Sequence, residues 1–365
     1  MKKIVILANS DMGLYKFRKE LICELTTKYE VLISVPKGNY TDLLKKMGCK
    51  IYETPISRRS LNPLKDLLLL FNYFKLLMKL KPYYVLTYTI KPNIYGGIIC
   101  RLLGYKYMVN ITGLGTALEK KCFFSNILFK LYSVSLKKAK VIFFQNKNNQ
   151  QVINSKIKIS AKQILLPGSG VNLQEYRYLD YPSDNENTKF LFIGRIMEAK
   201  GVNELLLGYK LLSEKYKNVN LTIIGSIEEG YNTDLLDSLI EKNIVDYEGE
   251  QRFVNEFIND SHVLINPSYH EGMSNVLLEA GASGRPLLAS NVPGCREIVK
   301  DGSNGFLFEP KNYISLFETL EKFHLLDFSE KKHMGKLSNL FIKGKFDRNI
   351  IIGQYFNELE GEKNG

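Results

Sequence analysis

The feature that most constrains this chain is a repeated alternation of short apolar runs with helix-like stretches. β-rich runs stand at Ile4–Leu7, Val31–Val35, Tyr84–Tyr88, Tyr107–Ile111 and Val141–Gln145. Between and after them come stretches of helical character at Lys16–Lys28, Thr41–Met47, Leu64–Leu80, Tyr95–Leu103 and Ile127–Lys138. A second series has strand-like runs at Phe190–Ile193, Leu221–Ile224, Val263–Ile265 and Pro286–Ala289. Its helical stretches are Val202–Glu214, Asp234–Glu241, Phe253–Asn259, Ser274–Ala282 and Ile314–Phe323. Strands spaced by helices of this length predict parallel sheets with helices on both faces. Two such series in 365 residues predict an α/β chain of two Rossmann-like domains. The expected bounds are 1–180 and 181–345, with 346–365 as a C-terminal helix packing back toward the first domain. The polar stretch Leu179–Lys189, with Pro182 and Ser183, is the expected linker.

Charge is divided unevenly between the two series. Lys and Arg less Asp and Glu give +20 over residues 1–180 and −8 over 181–365, which recovers the +12 of the whole. The basic half is expected to face an anionic surface, either a membrane or a nucleic acid; a lysine-rich solvated face is the plainer alternative. Nucleic acid is disfavoured, because no recognisable aromatic–basic motif is present. In Leu64–Leu80 the polar residues Lys65, Asn72, Lys75 and Lys79 fall on one stripe, and the rest is Leu, Phe, Tyr and Met. That pattern fits an interfacial amphipathic helix, or equally a helix packed on its own sheet with a lysine edge. The longest apolar run, Leu67–Phe71, is far short of the roughly 20 residues that span a bilayer. The N-terminus MKKIVILANS reads as a first strand rather than a signal peptide. Cys23, Cys49, Cys100, Cys122 and Cys295 form no CxxC pair, which predicts reduced thiols in a cytoplasmic protein. The four histidines lack metal-ligand spacing, so no metal is expected.

Open parallel sheets bind ligands at the carboxyl ends of their strands. The loop after the first strand, Asn9-Ser10-Asp11-Met12-Gly13, holds one glycine and is no dinucleotide fingerprint, so no such cofactor is expected. After Phe190–Ile193 comes GRIMEAKG, which sets Arg195 and Lys200 at a strand–helix junction. Cations there can neutralise charge developing on a phosphate leaving group. After Val263–Ile265 comes EGMSNVLLEAGASGRP, with Glu271 on the loop and Glu279 inside the next helix, seven residues between them. Ser274 is placed to cap that helix, whose N-terminal amides at Asn275 and Val276 favour an anion. Two carboxylates flanking a phosphate site suit the hydroxyls of a sugar and a ribose. A further loop, Asn291 to Glu297, and the turn Asp301-Gly302-Ser303-Asn304-Gly305 bring glycines near the same strand ends. Each residue alone has an ordinary reading: Arg195 and Lys200 as surface ion-pair partners, Glu271 as a solvated carboxylate, Glu279 paired with Arg285. Their joint placement at strand ends of one domain favours a site. The carboxylate pair would also suit a glycoside hydrolase.

At these residues the chain resembles the retaining glycosyltransferases of the GT-B fold, family 4, over essentially its full length. GRIMEAKG is similar to that family's G-R-x-x-x-x-K-G loop, and EGMSNVLLEAGASGRPLLAS to its E-x7-E motif. VPGCREIVKDGSNGFLFEP is similar to its G-G-x-x-E-x-V stretch, with Cys295 at the second glycine. The resemblance implies two Rossmann-like domains facing a central cleft, a nucleoside diphosphate sugar as substrate, and no metal or cofactor. It implies that Lys200 and Arg195 bind the donor diphosphate, that Glu271 contacts the sugar, and that Glu279 contacts the ribose. Gly13, Gly194, Gly272, Met273, Ser274, Asn275 and Val276 would complete the donor site. SRRSLNPLKDL, YTIKPNIYGG and NITGLGTAL resemble enzymes that build bacterial surface glycans on a polyprenyl diphosphate carrier, often with N-acetylgalactosamine from UDP. On that footing Thr112, Gly113 and Lys91 are acceptor-side candidates, equally readable as loop-to-helix packing. The expected partners are a UDP-sugar, a polyprenyl-diphosphate-linked acceptor and the anionic inner leaflet, with no nucleic acid. The alternatives are a UDP-sugar 2-epimerase of the same fold, and a non-catalytic basic protein binding membrane or nucleic acid.

Overall fold

The computed structural model describes residues 1–56, 62–113, 123–183 and 187–361. The sequence expectations at 57–61, at 114–118 of NITGLGTAL, at Cys122 and at 184–186 of the linker lie outside these residues, as does the end of the tail. The chain divides into two compact units, Met1–Ser169 with Ile351–Gly365, and Gly170–Ile350.

The first unit carries a seven-stranded parallel sheet: β1 Lys3–Leu7, β2 Glu30–Val35, β3 Lys50–Glu53, β4 Tyr84–Tyr88, β5 Tyr107–Ile111, β6 Val141–Phe144 and β7 Lys162–Leu165. Their spatial order is β3-β2-β1-β4-β5-β6-β7. The central strands are buried on both faces, which is why they read as continuous apolar runs. Helix Asp11–Lys28 packs Leu14, Leu21, Ile22 and Leu25 on one face of the sheet. Helix Pro63–Leu80 packs Leu69, Tyr73, Leu77 and Leu80 on the other. The Tyr95–Leu103 expectation resolves into a π-helical turn, Pro92–Gly96, followed by an α-helix, Gly97–Leu103.

The second unit carries six parallel strands: β8 Thr188–Ile193, β9 Val219–Ile224, β10 Asp246–Tyr247, β11 Val263–Asn266, β12 Leu287–Ser290 and β13 Gly305–Phe308. Their order is β10-β9-β8-β11-β12-β13. The order reverses between β8 and β11, so the loops that follow these two strands leave in opposite directions. In open parallel sheets a ligand crevice is expected at such a reversal, at the carboxyl ends of the strands.

The compact units divide between Ser169 and Gly170, ahead of the expected boundary at 180. Residues 170–183 are packed on the second unit rather than linking two bodies. Val171 bridges to Asp347, and the Tyr181 hydroxyl donates to the His262 carbonyl at 2.8 Å. The fully buried guanidinium of Arg285 donates to carbonyls of Ile258, Asn259, Leu179 and Asp180. Burial lowers its pKa to about 10. The C-terminal helix is Arg348–Glu360, and its Ile351, Ile352, Tyr355 and Leu359 join the core of the first unit. Arg285→Ala removes a fully buried guanidinium and its bonds to four carbonyls, one of them on buried Ile258, so it is expected to destabilise by about 3 kcal/mol or more. Urea unfolding of the variant checks this.

Candidate active site

Lys200 and Glu271 meet in the structure. The Lys200 ammonium lies 2.6 Å from Glu271 Oε1, with side chains 26% and 14% exposed. Two glycines make this approach possible. Gly201 has φ +66°, and a Cβ there would meet the Pro267 carbonyl oxygen at 2.1 Å. Gly294 has φ +85°, and a Cβ there would meet the Glu271 carbonyl at 2.6 Å. Neither conformation suits a side-chain-bearing residue. Backbone bonds lock the same loops together: Tyr269 N–H donates to the Ala199 carbonyl at 3.0 Å, and Ser274 N–H to the Gly294 carbonyl at 3.0 Å. The Gly294 amide is held in turn by Glu297 Oε2 at 2.6 Å. Cys295, the second position of the glycine pair, has no positive φ and is fully buried. A cysteine is therefore tolerated where the preceding residue must be glycine. Burial, reinforced by the Glu271 charge, pushes its thiol well above the usual range and leaves it unreactive.

The helix after Glu271 is Asn275–Ala282, with Ser274 at its N-cap. The expected side-chain cap is absent. Ser274 Oγ instead accepts from Asn266 Nδ2, so the first-turn amides lack that partner. Asn275 Oδ1 and Ser268 Oγ are buried without a hydrogen-bond partner among the described residues. Gly272 precedes the turn and Met273 is buried beneath it. Val276 is half-buried behind Asn275. A helix start without a side-chain cap, on the chain just after the Lys200–Glu271 pair, has the dipole and amide orientation that favour an anion.

Arg195 lies on the same loop as Lys200, where Glu228 Oε2 takes its Nη1 at 3.0 Å; its side chain is 56% exposed. An exposed pair of this kind is worth little and can open for a ligand. Gly194 N–H donates to the Ile224 carbonyl and ties that loop to β9. Glu279 stands one turn inside the helix and half-buried, and it bonds the Tyr176 hydroxyl. Burial first, and then the Glu279 charge, raise the tyrosine pKa. Arg285 bonds backbone carbonyls, so a pairing with Glu279 is not what places either residue. Sequence reasoning missed Tyr176, Asn266 and the Glu204–Tyr269 bond of 2.6 Å that braces the loop after β11. None of the three has a local motif; each is placed by the fold.

The remaining candidates belong to the first unit. Gly13 N–H is taken by Ser10 Oγ at 3.1 Å, within the first turn of helix Asp11–Lys28. That amide is committed to a cap. Thr112 and Gly113 follow β5. With the Gln145 amide turned to satisfy its neighbours, it donates to the Thr112 carbonyl at 3.0 Å and accepts from Arg18 at 2.9 Å. Lys91 reaches Asp66 Oδ1 at 2.6 Å, and the Tyr95 hydroxyl donates to Asp66 Oδ2 at 2.8 Å. Among the described residues no cluster of three His, Cys, Asp or Glu could hold a metal ion, and no helix is long and apolar enough to cross a membrane.

Two family models cover most of the chain. Residues 180–338 match "Glycosyl transferases group 1", and residues 3–146 match "Glycosyl transferase 4-like". The chain belongs to the GT-B glycosyltransferases. This glycosyltransferase is 26% identical over 372 residues to the N,N'-diacetylbacillosaminyl-diphospho-undecaprenol alpha-1,3-N-acetylgalactosaminyltransferase of Campylobacter jejuni, covering 97% of each chain. It is 25% identical over 333 residues to the UDP-Gal:alpha-D-GlcNAc-diphosphoundecaprenol alpha-1,3-galactosyltransferase of Escherichia coli, covering 85% of this chain and 84% of the relative. Among solved structures it superposes on Anabaena HepE in complex with UDP and glucose, with a TM-score of 0.80 over 99% of this chain and 100% of that one, at 15% identity. That last likeness concerns the fold.

Proposed function

We propose that this glycosyltransferase moves a sugar, an N-acetylhexosamine such as N-acetylgalactosamine, from UDP to a saccharide carried on a polyprenyl diphosphate, with retention at the anomeric carbon and without a metal. The observation that carries the reading is the Lys200–Glu271 pair beside an uncapped helix N-terminus, at the point where the second sheet reverses its strand order. The activities for which the two bacterial relatives are named, both on undecaprenyl-diphosphate-linked saccharides, support the acceptor class.

The charges arrange themselves for that chemistry. As the bond from the anomeric carbon to the β-phosphate oxygen breaks, negative charge grows on the diphosphate and positive charge on the sugar ring. Lys200, Arg195 and the amides at Asn275 and Val276 stabilise the departing diphosphate. Glu271 accepts hydrogen bonds from sugar hydroxyls and fixes the ring beside the leaving group. Glu279 holds the ribose, with Tyr176 positioning its carboxylate. The acceptor oxygen bonds the anomeric carbon on the face the phosphate leaves, and its proton passes to the phosphate oxygen. The basic first unit works at the anionic inner surface of a membrane, where each surface lysine adds on the order of 1 kcal/mol at low salt.

A panel of UDP-sugars incubated with the purified protein in EDTA tests this reading. Slow release of UDP from one or a few N-acetylhexosamine donors is expected. Release from none of them would overturn it.

A further inference from the structure

Helix Pro63–Leu80 does more than cover its sheet. It buries Leu69, Tyr73, Leu77 and Leu80, and leaves Leu64, Leu67, Leu68 and Phe71 from 51% to 76% exposed. These exposed side chains form a shallow, open apolar face. With Phe74 and Ile98 they line a groove of about 690 Å³ whose walls are leucine, phenylalanine and isoleucine throughout. Leu68 is also a wall of a second cavity, of about 730 Å³. That cavity is lined by Pro36, just past β2, by Thr54, just past β3, and by Lys91, just past β4. It thus opens at the carboxyl ends of three strands, where a parallel sheet binds its ligand. Its charged groups are Lys37, Lys65 and Lys91 against Glu53 and Asp66. Both Asp66 oxygens are engaged within the fold, by Lys91 and by Tyr95. The remaining charge favours an anion.

We propose that the two cavities form one amphiphilic site for a prenyl diphosphate, the carrier end of the acceptor. The diphosphate sits in the lysine-lined chamber and the first isoprene units lie along the apolar groove, with Leu68 at the junction. The proposal rests on the transferase reading above and gives it an acceptor seat. Complementarity argues for this occupant. A free sugar or inorganic phosphate would fill the polar chamber and leave the groove in water. A membrane surface alone would not need a chamber at the strand ends. A head of two negative charges on a slender hydrocarbon chain matches both cavities at their shared wall.

Farnesyl diphosphate is the probe, titrated calorimetrically into the full-length protein with its nucleotide site saturated by UDP. Inorganic diphosphate, farnesol, anionic phosphatidylglycerol vesicles and UDP run beside it. Farnesyl diphosphate is expected to bind at least about thirtyfold more tightly than inorganic diphosphate, because buried isoprene carbons add hydrophobic free energy to the charged contacts. Leu67→Glu and Phe71→Glu stand at exposed positions, so their melting temperatures are expected to match wild type. Each is expected to weaken farnesyl diphosphate by about tenfold or more. Lys65→Glu is expected to weaken both diphosphates and leave farnesol unchanged. If wild type binds UDP but holds farnesyl diphosphate no better than inorganic diphosphate, this site is wrong and the transferase reading stands. If UDP itself does not bind, the transferase reading has failed first. If the leucine and phenylalanine variants lose vesicle binding and keep farnesyl diphosphate, the face is a membrane contact and not a prenyl site.

Discussion

Lys200→Ala is expected to lower turnover about 10²-fold or more. One charge-assisted contact to a departing oxyanion is worth roughly 3 kcal/mol, and that difference sits almost wholly in the transition state. The ammonium is well placed for the role. It is three-quarters buried, and Gly201 pressed against the Pro267 carbonyl holds its loop in place. The variant also leaves the Glu271 carboxylate without its 2.6 Å partner, so part of the loss is expected as weaker sugar positioning. Steady-state hydrolysis of the UDP-sugar, on protein shown by circular dichroism to be folded, is the measurement. A kcat near wild type would remove Lys200 from the mechanism.

Glu271→Gln and Glu279→Gln are expected to fail in different ways. Glu271 stands beside Lys200 and is assigned to the sugar, so its amide should cut turnover and leave UDP affinity close to wild type, since the diphosphate contacts remain. Glu279 lies inside the helix and bonds Tyr176. Its amide should weaken UDP itself by about 1.5–3 kcal/mol, the worth of a charged hydrogen bond to the ribose. Titrating UDP into both variants separates the two roles. The opposite pattern would mean that the carboxylates exchange assignments.

The sequence shows the fold class because central strands of a parallel sheet are buried on both faces and so are written as apolar runs. Edge strands have no such requirement. β3, β7 and β10 are partly exposed and carry Lys50, Glu53, Lys162 and Asp246, and all three escape an alternation argument. β13 is buried but opens on Gly305, straight after the turn at Asp301, and reads as the end of a loop. Helix Lys147–Lys156 escapes as well, because only Ile153 and Asn149 of its ten residues are buried. The division of the compact units at 169 is equally hard to read from the sequence. Residues 170–183 are held by Arg285 and by Asp347, contacts that composition does not reveal.

At the candidate site, the loops bearing Lys200 and Glu271 were legible because strand ends and helix starts are. Their ion pair was not, since it depends on two glycines fitting under two carbonyls 66 and 23 residues away in sequence. Ser274 shows the limit of a local rule. It occupies the cap position the sequence assigns, but Asn266, on the neighbouring strand, claims its hydroxyl. The helix Pro63–Leu80 shows another. Its apolar residues read as membrane-facing or core-facing, and the structure buries Leu69, Tyr73, Leu77 and Leu80 while leaving Leu64, Leu67, Leu68 and Phe71 exposed.

The central claim is that the second unit holds a nucleoside diphosphate through Lys200, Arg195 and the helix start at Asn275. Calorimetric titration of UDP and of uridine into the full-length protein, in EDTA, tests it most directly. UDP is expected to bind at least about a hundredfold more tightly than uridine, because two or more charge-assisted phosphate contacts are absent from the nucleoside. Equal affinity for the two, or no binding of UDP, would contradict the account.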